Sequence, residues 1–471
     1  MKLDKKNFRT NYLYYLFTLI LFNCSTLFAQ CWLQIASASY NQGFYSAGIQ
    51  VDGTLWCWGQ NNFGQLGDGT TTDKLVPTQV GTDTDWATVA LGINSTYAIK
   101  QNGTLWAWGS NSDGQLGDGT NTGRLLPAQV LPGTTWLRIS AGEQFMIAQK
   151  SDGTLWSCGN DDLDQLGRGT LPGDTRILLQ ISSATDWSAI KCQLAHTLLE
   201  KPNQTVWGFG HGDLGKLATG TNGGYSVPSQ LLPGTGWVQA TPGSQSSFFK
   251  NSNGTIWGCG QNGNGNLGIG NNTLGIYTLT QIGTATDWRS VEPSSVHTMA
   301  LRNNGSLWAA GFNTTGQLGI GTLTNTNVFV QVGTATNWAK VRCGRQHTLA
   351  LDSNGTLWAW GLNSSGQLGD GTTVNKSVPT QIGTVCTLSV NEVEKKVMQL
   401  LTNPVENQVQ LSFAYDGVKQ VTIYNTQGQA VRTQTVSQDF TSFDVSGFAA
   451  GVYFIQCISD MGNQTVKMVK K

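Results

Sequence analysis

The sequence predicts an all-β protein, a seven-bladed β-propeller followed by a small β-sandwich domain. Three observations carry that expectation. Tryptophan returns at Trp56, Trp106, Trp156, Trp207, Trp257, Trp308 and Trp358, always 50 or 51 residues apart. The runs between them are short, β-branched and aromatic, with no helical period. The chain holds 59 Gly and 17 Trp in 471 residues, but 12% charged residues against a usual share of about 25%. An aromatic content of 10% excludes a disordered chain, and glycine without a three-residue period excludes collagen. With 28 Lys+Arg against 28 Asp+Glu, the zero net charge argues against nucleic acid as a partner.

In chain order, residues 1–29 read as a signal peptide. Lys2, Lys5, Lys6 and Arg9 precede an uncharged apolar run at 12–22, and small Ala29 offers the cleavage position. That run is shorter than the ~20 residues a spanning helix needs. No later run is long enough either, so no transmembrane segment is expected in the mature chain, which should be secreted or held at the outer cell surface. Lipid modification of Cys31 is an alternative, for which Gln30 is a poor neighbour. Of nine cysteines, Cys24 leaves with the signal; export permits disulfides among the rest, and no CxxC pair suggests a metal or redox site.

Residues 30–386 are expected to form the propeller. A second series, Trp32, Trp86, Trp136, Trp187, Trp237, Trp288 and Trp338, marks seven units. Such periods belong to solenoids or propellers, and about four short strands per unit favour a propeller. In unit two the strands are WATVAL, TYAIK, TLWAW and the join PAQV. Asp52-Gly53, Asn102-Gly103, Asp152-Gly153, Asn253-Gly254, Asn304-Gly305 and Asn354-Gly355 suit two-residue hairpins, while unit four has Asn203-Gln204.

Eleven residues after each periodic Trp stands Gly67, Gly117, Gly167, Ala218, Gly268, Gly319 or Gly369, within GQLGDGT at 64–70, 114–120 and 366–372. With strands ending WxWG or WxCG, this resembles the regulator-of-chromosome-condensation repeats over about 350 residues. The resemblance implies a seven-bladed propeller and not a function, since one fold hosts many. The best-known member exchanges guanine nucleotide on a nuclear GTPase, which does not suit an exported chain; another relative of this shape is a secreted inhibitor of β-lactamases. If seven units close a circle, the eighth Trp position near 388 meets Trp32, so a Cys31–Cys386 disulfide is expected as a clasp. The chain-entropy account gives such a long loop roughly 5 kcal/mol.

Residues 387–398 read as a polar linker, and 399–471 as a β-sandwich without Trp. LTNPVEN at 401–407, VTIYNTQGQAV at 421–431, FDVSGFAAGVYFI at 443–455 and the basic end resemble the type IX secretion sorting domain. That resemblance implies handling by the type IX machinery, then removal or surface attachment.

No catalytic constellation emerges. His196, His297 and His347 lie eleven residues before a periodic Trp, where other units hold Tyr45, Ser95, Phe145 and Ser246. Such a slot is structural, and Cys192 and Cys343, four residues ahead of two of these histidines, sit three blades apart. The GxGxxG at 263–268 lacks the helix that would bind pyrophosphate. Asp68, Asp118 and Asp370 are replaced by Arg168, Thr219, Ile269 and Ile320, which favours turn chemistry over calcium. The expectation is therefore a non-enzyme, with no catalytic, cofactor-binding or metal residues. It would recognise a protein or surface glycan through loops bearing Lys74, Arg124, Arg176, Tyr225, Tyr277 and Lys376, with Asn327 in the slot of unit six. Inhibition of a secreted enzyme, or an unrecognised site in the central channel, are the alternatives.

Overall fold

The computed structural model describes residues 31–39, 43–169, 173–386, 398–401, 403–415, 417–459 and 462–471. The expected signal peptide lies outside them, as does the expected linker at 387–398 except for Met398, which opens the first strand of the C-terminal domain. Blade one is an antiparallel sheet of Trp32–Ser37, Tyr45–Gln50, Leu55–Gly59 and Lys74–Gln79, paired in chain order. Six further four-stranded sheets repeat that meander, ending with Lys376–Ile382. The first strand of each blade is innermost: Trp32–Ser37 touches Trp86–Leu91 on one side and Trp338–Cys343 on the other, so the ring closes.

The core lies between blades. All six residues of Tyr45–Gln50 are buried because neighbouring blades cover both faces, so the polar Ser46 and Gln50 are enclosed along with the apolar side chains. One buried cluster joins Ile49, Leu55 and Leu66 of blade one to Trp86 and Trp108 of blade two. The two Trp series meet in edge-to-face pairs such as Trp32–Trp56, with centroids 6.5 Å apart at 74°. The Trp56 Nε1–H donates to Thr54 Oγ1 at 2.8 Å, and that hydroxyl donates to Asp52 at 2.7 Å, fixing the Asp-Gly hairpin below. Unit four keeps the turn without its glycine, since Gln204 itself takes a φ of 62°. Its Asn203–Thr205–Trp207 relay is the same as in units one to three, five and six, whereas in unit seven Trp358 Nε1–H donates to Asp352 Oδ2 at 3.3 Å.

The recurrent small residue is a close-approach glycine. Gly67 has a φ of 72°, and a Cβ there would stand 2.5 Å from Trp108 Nε1 of the next blade. Gly319 faces Trp360, Gly369 faces Trp58 and Gly167 faces Phe209 in the same way. Beside each of the three tryptophan contacts the indole N–H donates to a carbonyl of the neighbouring blade, Trp108 to Gln65 at 3.0 Å and Trp58 to Gln367 at 2.9 Å. No blade mixes strands from the two ends of the ring. The covalent clasp is the expected one: Cys31 and Cys386 are disulfide-bonded with Cα atoms 4.9 Å apart.

The C-terminal domain begins with Met398–Leu400, which pairs with Gln408–Phe413, itself paired with Phe440–Asp444. A second sheet runs in the order Ala430–Val436, Lys419–Tyr424, Gly451–Ser459, Gly462–Lys470. Leu411, Phe413, Ile423, Phe443, Ile455 and Met468 fill the space between the sheets, and Ala339 of the propeller joins that cluster. Among the described residues there is no α-helix, and so none long and apolar enough to cross a membrane.

Candidate interaction surfaces of the ring

Each inner strand starts beside the Asp-Gly hairpins; Trp86 N–H donates to Gly53 O. The third strand runs away from that end, so Gly59 pairs with Tyr45 and the GQLGDGT loop emerges on the opposite face. The ring therefore has a hairpin face and a loop face.

On the loop face each loop is organised by its own side chains. Asn61 Nδ2 donates to Asp68 Oδ1 and to the Thr70 and Thr72 carbonyls, while its Oδ1 accepts the Leu66 N–H. Asn111 and Asn363 repeat the pattern. In unit three both partners change together: Asp161 replaces the asparagine, Arg168 replaces the aspartate, and they pair at 2.9 Å. The recurrent aspartates thus serve the turn. Asp118 accepts from the Thr120 N–H and hydroxyl and from Arg124 Nε at 2.6 Å. Burial would raise the Asp118 carboxyl, but Thr120 and Arg124 outweigh it and hold it below the usual range.

The six candidate residues divide between two positions. Lys74, Arg124, Tyr225 and Lys376 lie opposite Gly59, Gly109, Gly210 and Gly361. In units three and five the loop is one residue longer, so Thr175 and Ile276 take that position and Arg176 and Tyr277 fall one residue beyond. In unit six Thr326 pairs with Gly311, and Asn327 follows it. Neighbouring strand residues point to opposite faces of the sheet, so these side chains do not form one equivalent ring. Lys74 pairs with Asp68 at 3.0 Å, Arg124 with Asp118, and Lys376 with Asp370 at 3.2 Å.

A stricter ring lies two residues along each outer strand. Val76, Leu126, Ile177, Val227, Val328 and Val378 are each between 46% and 58% exposed, and Thr278 holds the place in unit five. They sit over the second loop glycine of the preceding blade, as Leu126 does over Gly69. The residue before each ties the same loop down by a backbone bond; Gly69 N–H donates to Leu125 O at 3.0 Å, and Gly371 N–H to Leu75 O at 2.9 Å. Sequence reasoning missed this rim because it searched for charged and aromatic side chains at a fixed distance from Trp.

The histidines are buried inter-blade links. His196 Nε2 meets Ser247 Oγ at 3.0 Å, His297 Nε2 meets Thr348 Oγ1 at 3.0 Å, and His347 Nε2 meets Ser46 Oγ at 3.1 Å. Burial pulls His297 and His347 down to about 3, so both are neutral at ordinary pH. The Cys343 thiol donates to the Glu292 carbonyl, and Cys192 accepts from Thr197 Oγ1. The glycines at 263–268 belong to the loop of blade five, which leads into strand Gly275–Gln281. Unit four departs from its siblings at Lys216, where the others have Gln or Asn. It is wholly buried, with Nζ 3.1 Å from His211 Nδ1 and donating to Gln245 Oε1 at 3.1 Å. Burial brings its ammonium down to about 8.

At the centre of the hairpin face the C-terminal domain packs against the channel mouth, while the hairpin tips stay exposed. Its turn at 437–440 enters the channel mouth, where Asp439 lies 3.1 Å from Arg342 and 3.5 Å from Lys340. Comparison with known proteins agrees with this two-part build. The profile of the regulator of chromosome condensation (RCC1) repeat matches residues 52–99, 102–149, 304–351 and 354–397, and a second RCC1 repeat profile matches 86–115 and 338–367. The secretion system C-terminal sorting domain matches 402–471. The chain carries RCC1 repeats and a type IX sorting domain. Among solved structures, the ring is similar to human WBSCR16, at 21% identity and a TM-score of 0.64, covering 70% of this chain and 93% of that one. It is also similar to Prp20p from Saccharomyces cerevisiae, at 16% identity and a TM-score of 0.62, covering 75% and 90%. At these identities the likeness shows the fold. The sorting domain marks the RCC1-repeat propeller as cargo of type IX secretion, delivered to the cell surface or beyond.

Proposed function

We propose that the exported propeller is a recognition scaffold that binds a protein through the rim of its loop face, and that it is not an enzyme. One observation carries this reading: the apolar ring from Val76 to Val378 stays half exposed while the sorting domain fills the channel mouth at the other face. Exposed aliphatic side chains repeated at one position of six outer strands offer a contact surface and bring no reacting group to it. Tyr225 and Tyr277, each 37% exposed, and Arg124 and Arg176 border it, and Tyr and Arg are enriched at binding hot spots. Prp20p is described with binding properties to Gsp1p and histones; for the present chain the partner is expected among proteins at the same cell surface. A surface glycan would need stacking platforms and polar pockets rather than a band of aliphatic side chains.

The test is affinity capture on the full chain, comparing wild type with Leu126→Asp/Ile177→Asp and with Arg124→Ala/Arg176→Ala/Tyr225→Ala. The expected result is a protein held by wild type and lost at least tenfold from both variants. Equal retention of every captured protein by all three forms, or binding to a glycan array instead, would remove the proposal.

A further inference from the structure

In a chain with 12% charged residues, the inner strands line the channel behind the hairpin-face mouth with Arg138, Lys191, Lys340, Arg342 and Glu292, and Glu200 joins them from the second strand of blade four. Arg138 and Lys340 are buried, so these are costly charges that need compensation. The compensation comes from another domain. Asp439 bridges Lys340 and Arg342. Ser437 Oγ donates to Glu200 Oε2 at 2.8 Å, and Gln438 Nε2 donates to the Ile190 carbonyl at 2.9 Å. Arg138 donates through Nη2 to Thr441 Oγ1 at 2.6 Å and through Nη1 to Gln149 Oε1. Four side chains within five residues, 437–441, thus meet four elements of the ring. Behind them a cavity of about 200 Å³ remains in the channel, lined by Gln34, Thr88 and Ser140 among others.

We propose that this channel mouth is a receptor site for an acidic peptide turn, and that the sorting domain occupies it in the intact chain with its own 437–441 segment. The site stands on the face opposite the rim and does not depend on the loop-face reading. Its chemistry specifies the ligand. A carboxylate must reach between an ammonium and a guanidinium, and the hydroxyl two residues before it must donate to Glu200. A second hydroxyl two residues after it must accept from Arg138. A turn of the type Ser-Gln-Asp-x-Thr meets all three requirements. Burial alone would raise the Asp439 carboxyl, but Lys340, Arg342 and Lys419 outweigh it and hold it below the usual range, so the ligand binds ionised. The tail holds the turn in shape from its own side, since Lys419 Nζ donates to the Gly417 and Gln438 carbonyls. The sorting domain is therefore a plug as well as an address. Once it is withdrawn, the ring presents a preformed acidic-turn site beside the open channel.

The experiment uses a fluorescent peptide TVSQDFTSF, the 435–443 sequence, and its Asp→Asn counterpart. Three full-length forms are compared: wild type, Asp439→Lys, and a chain carrying a specific protease site in 387–397, cut and washed at about 0.5 M salt to release the tail. Wild type should refuse the peptide. Both opened forms should bind it, with at least tenfold weaker binding of the Asn peptide and of a cut Lys340→Gln/Arg342→Gln ring whose melting curve shows it folded. Peptide binding to intact wild type, equal binding of Asp and Asn peptides, or refusal by both opened forms would overturn the proposal. So would a cut tail that stays bound through the salt wash.

Discussion

The seam where blade seven meets blade one carries the same pins as the internal seams between blades one and two and between blades six and seven, and it adds a covalent bond. At an internal seam Trp108 Nε1–H donates to Gln65 O at 3.0 Å and Gly69 N–H to Leu125 O at 3.0 Å. Across the closing seam Trp58 donates to Gln367 O at 2.9 Å and Gly371 to Leu75 O at 2.9 Å. What differs is the chain. An internal seam is crossed by the backbone from the outer strand of one blade to the inner strand of the next, which keeps the two at high effective concentration. The closing seam has no such crossing, and Cys31–Cys386 supplies one. Repetition therefore specifies the contacts of a ring, and only a residue outside the repeat specifies where it shuts.

The largest effect that could break this comparison is loss of the clasp. Cys31→Ser/Cys386→Ser frees a loop with a sequence separation of 355 residues, for which the chain-entropy account gives about 5–6 kcal/mol. Urea unfolding should show that loss in the double variant, and in wild type unfolded under reductant. A loss below about 1 kcal/mol would mean that the pins alone hold the closing seam.

The next test uses acid, because three seams contain a buried neutral histidine. His196 joins blades four and five, His297 blades six and seven, and His347 the closing pair. His297 and His347 fall to about 3 in the folded protein against an unfolded value near 6.5. Below pH 6.5 the unfolded chain takes up protons that the folded one refuses, so stability is complete above that pH and is lost as pH falls toward 3. The slope is about 1.4 kcal/mol per pH unit for each such histidine. Thermal melts at pH 7.5 and pH 5 should show it. His347→Ser, which restores the residue type of Ser95 and Ser246, should melt lower at pH 7.5 yet lose less on acidification. An unchanged slope would place the acid sensitivity elsewhere.

These seams also mark how much the sequence disclosed. The Trp period, the Asp-Gly turns and the pairing of Cys31 with Cys386 were legible because each repeats or answers a repeat. The reason for Gly67 was not, because its constraint is an indole one blade away, 41 positions along the chain. The candidate loop residues were read at a fixed distance from Trp, and a single extra residue in units three and five moved Arg176 and Tyr277 to the neighbouring strand position. Lys216 could have been noticed as the one cation in a slot of Gln and Asn. Asp439 with Lys340 and Arg342 could not: the three residues have no period, belong to two domains, and acquire meaning only when the turn enters the channel.

The smallest expected effect is the most discriminating. Trp58→Phe and Trp108→Phe each delete one indole N–H at a seam, one closing and one internal. In both cases the bereft carbonyl keeps another donor: Gln367 O accepts from Ser46 Oγ at 2.9 Å, and Gln65 O from Thr96 Oγ1 at 2.7 Å. Each substitution should therefore cost about 1 kcal/mol rather than the full price of an orphaned carbonyl. With the disulfide intact, urea unfolding should find the two variants equal within error. In the Cys31→Ser/Cys386→Ser background their equilibrium costs should stay similar, but Trp58→Phe should raise the unfolding rate more, because the closing seam is then the one place where blades part without dragging the chain. If Trp108→Phe accelerates unfolding equally there, the seven seams open together and the ring has no preferred door.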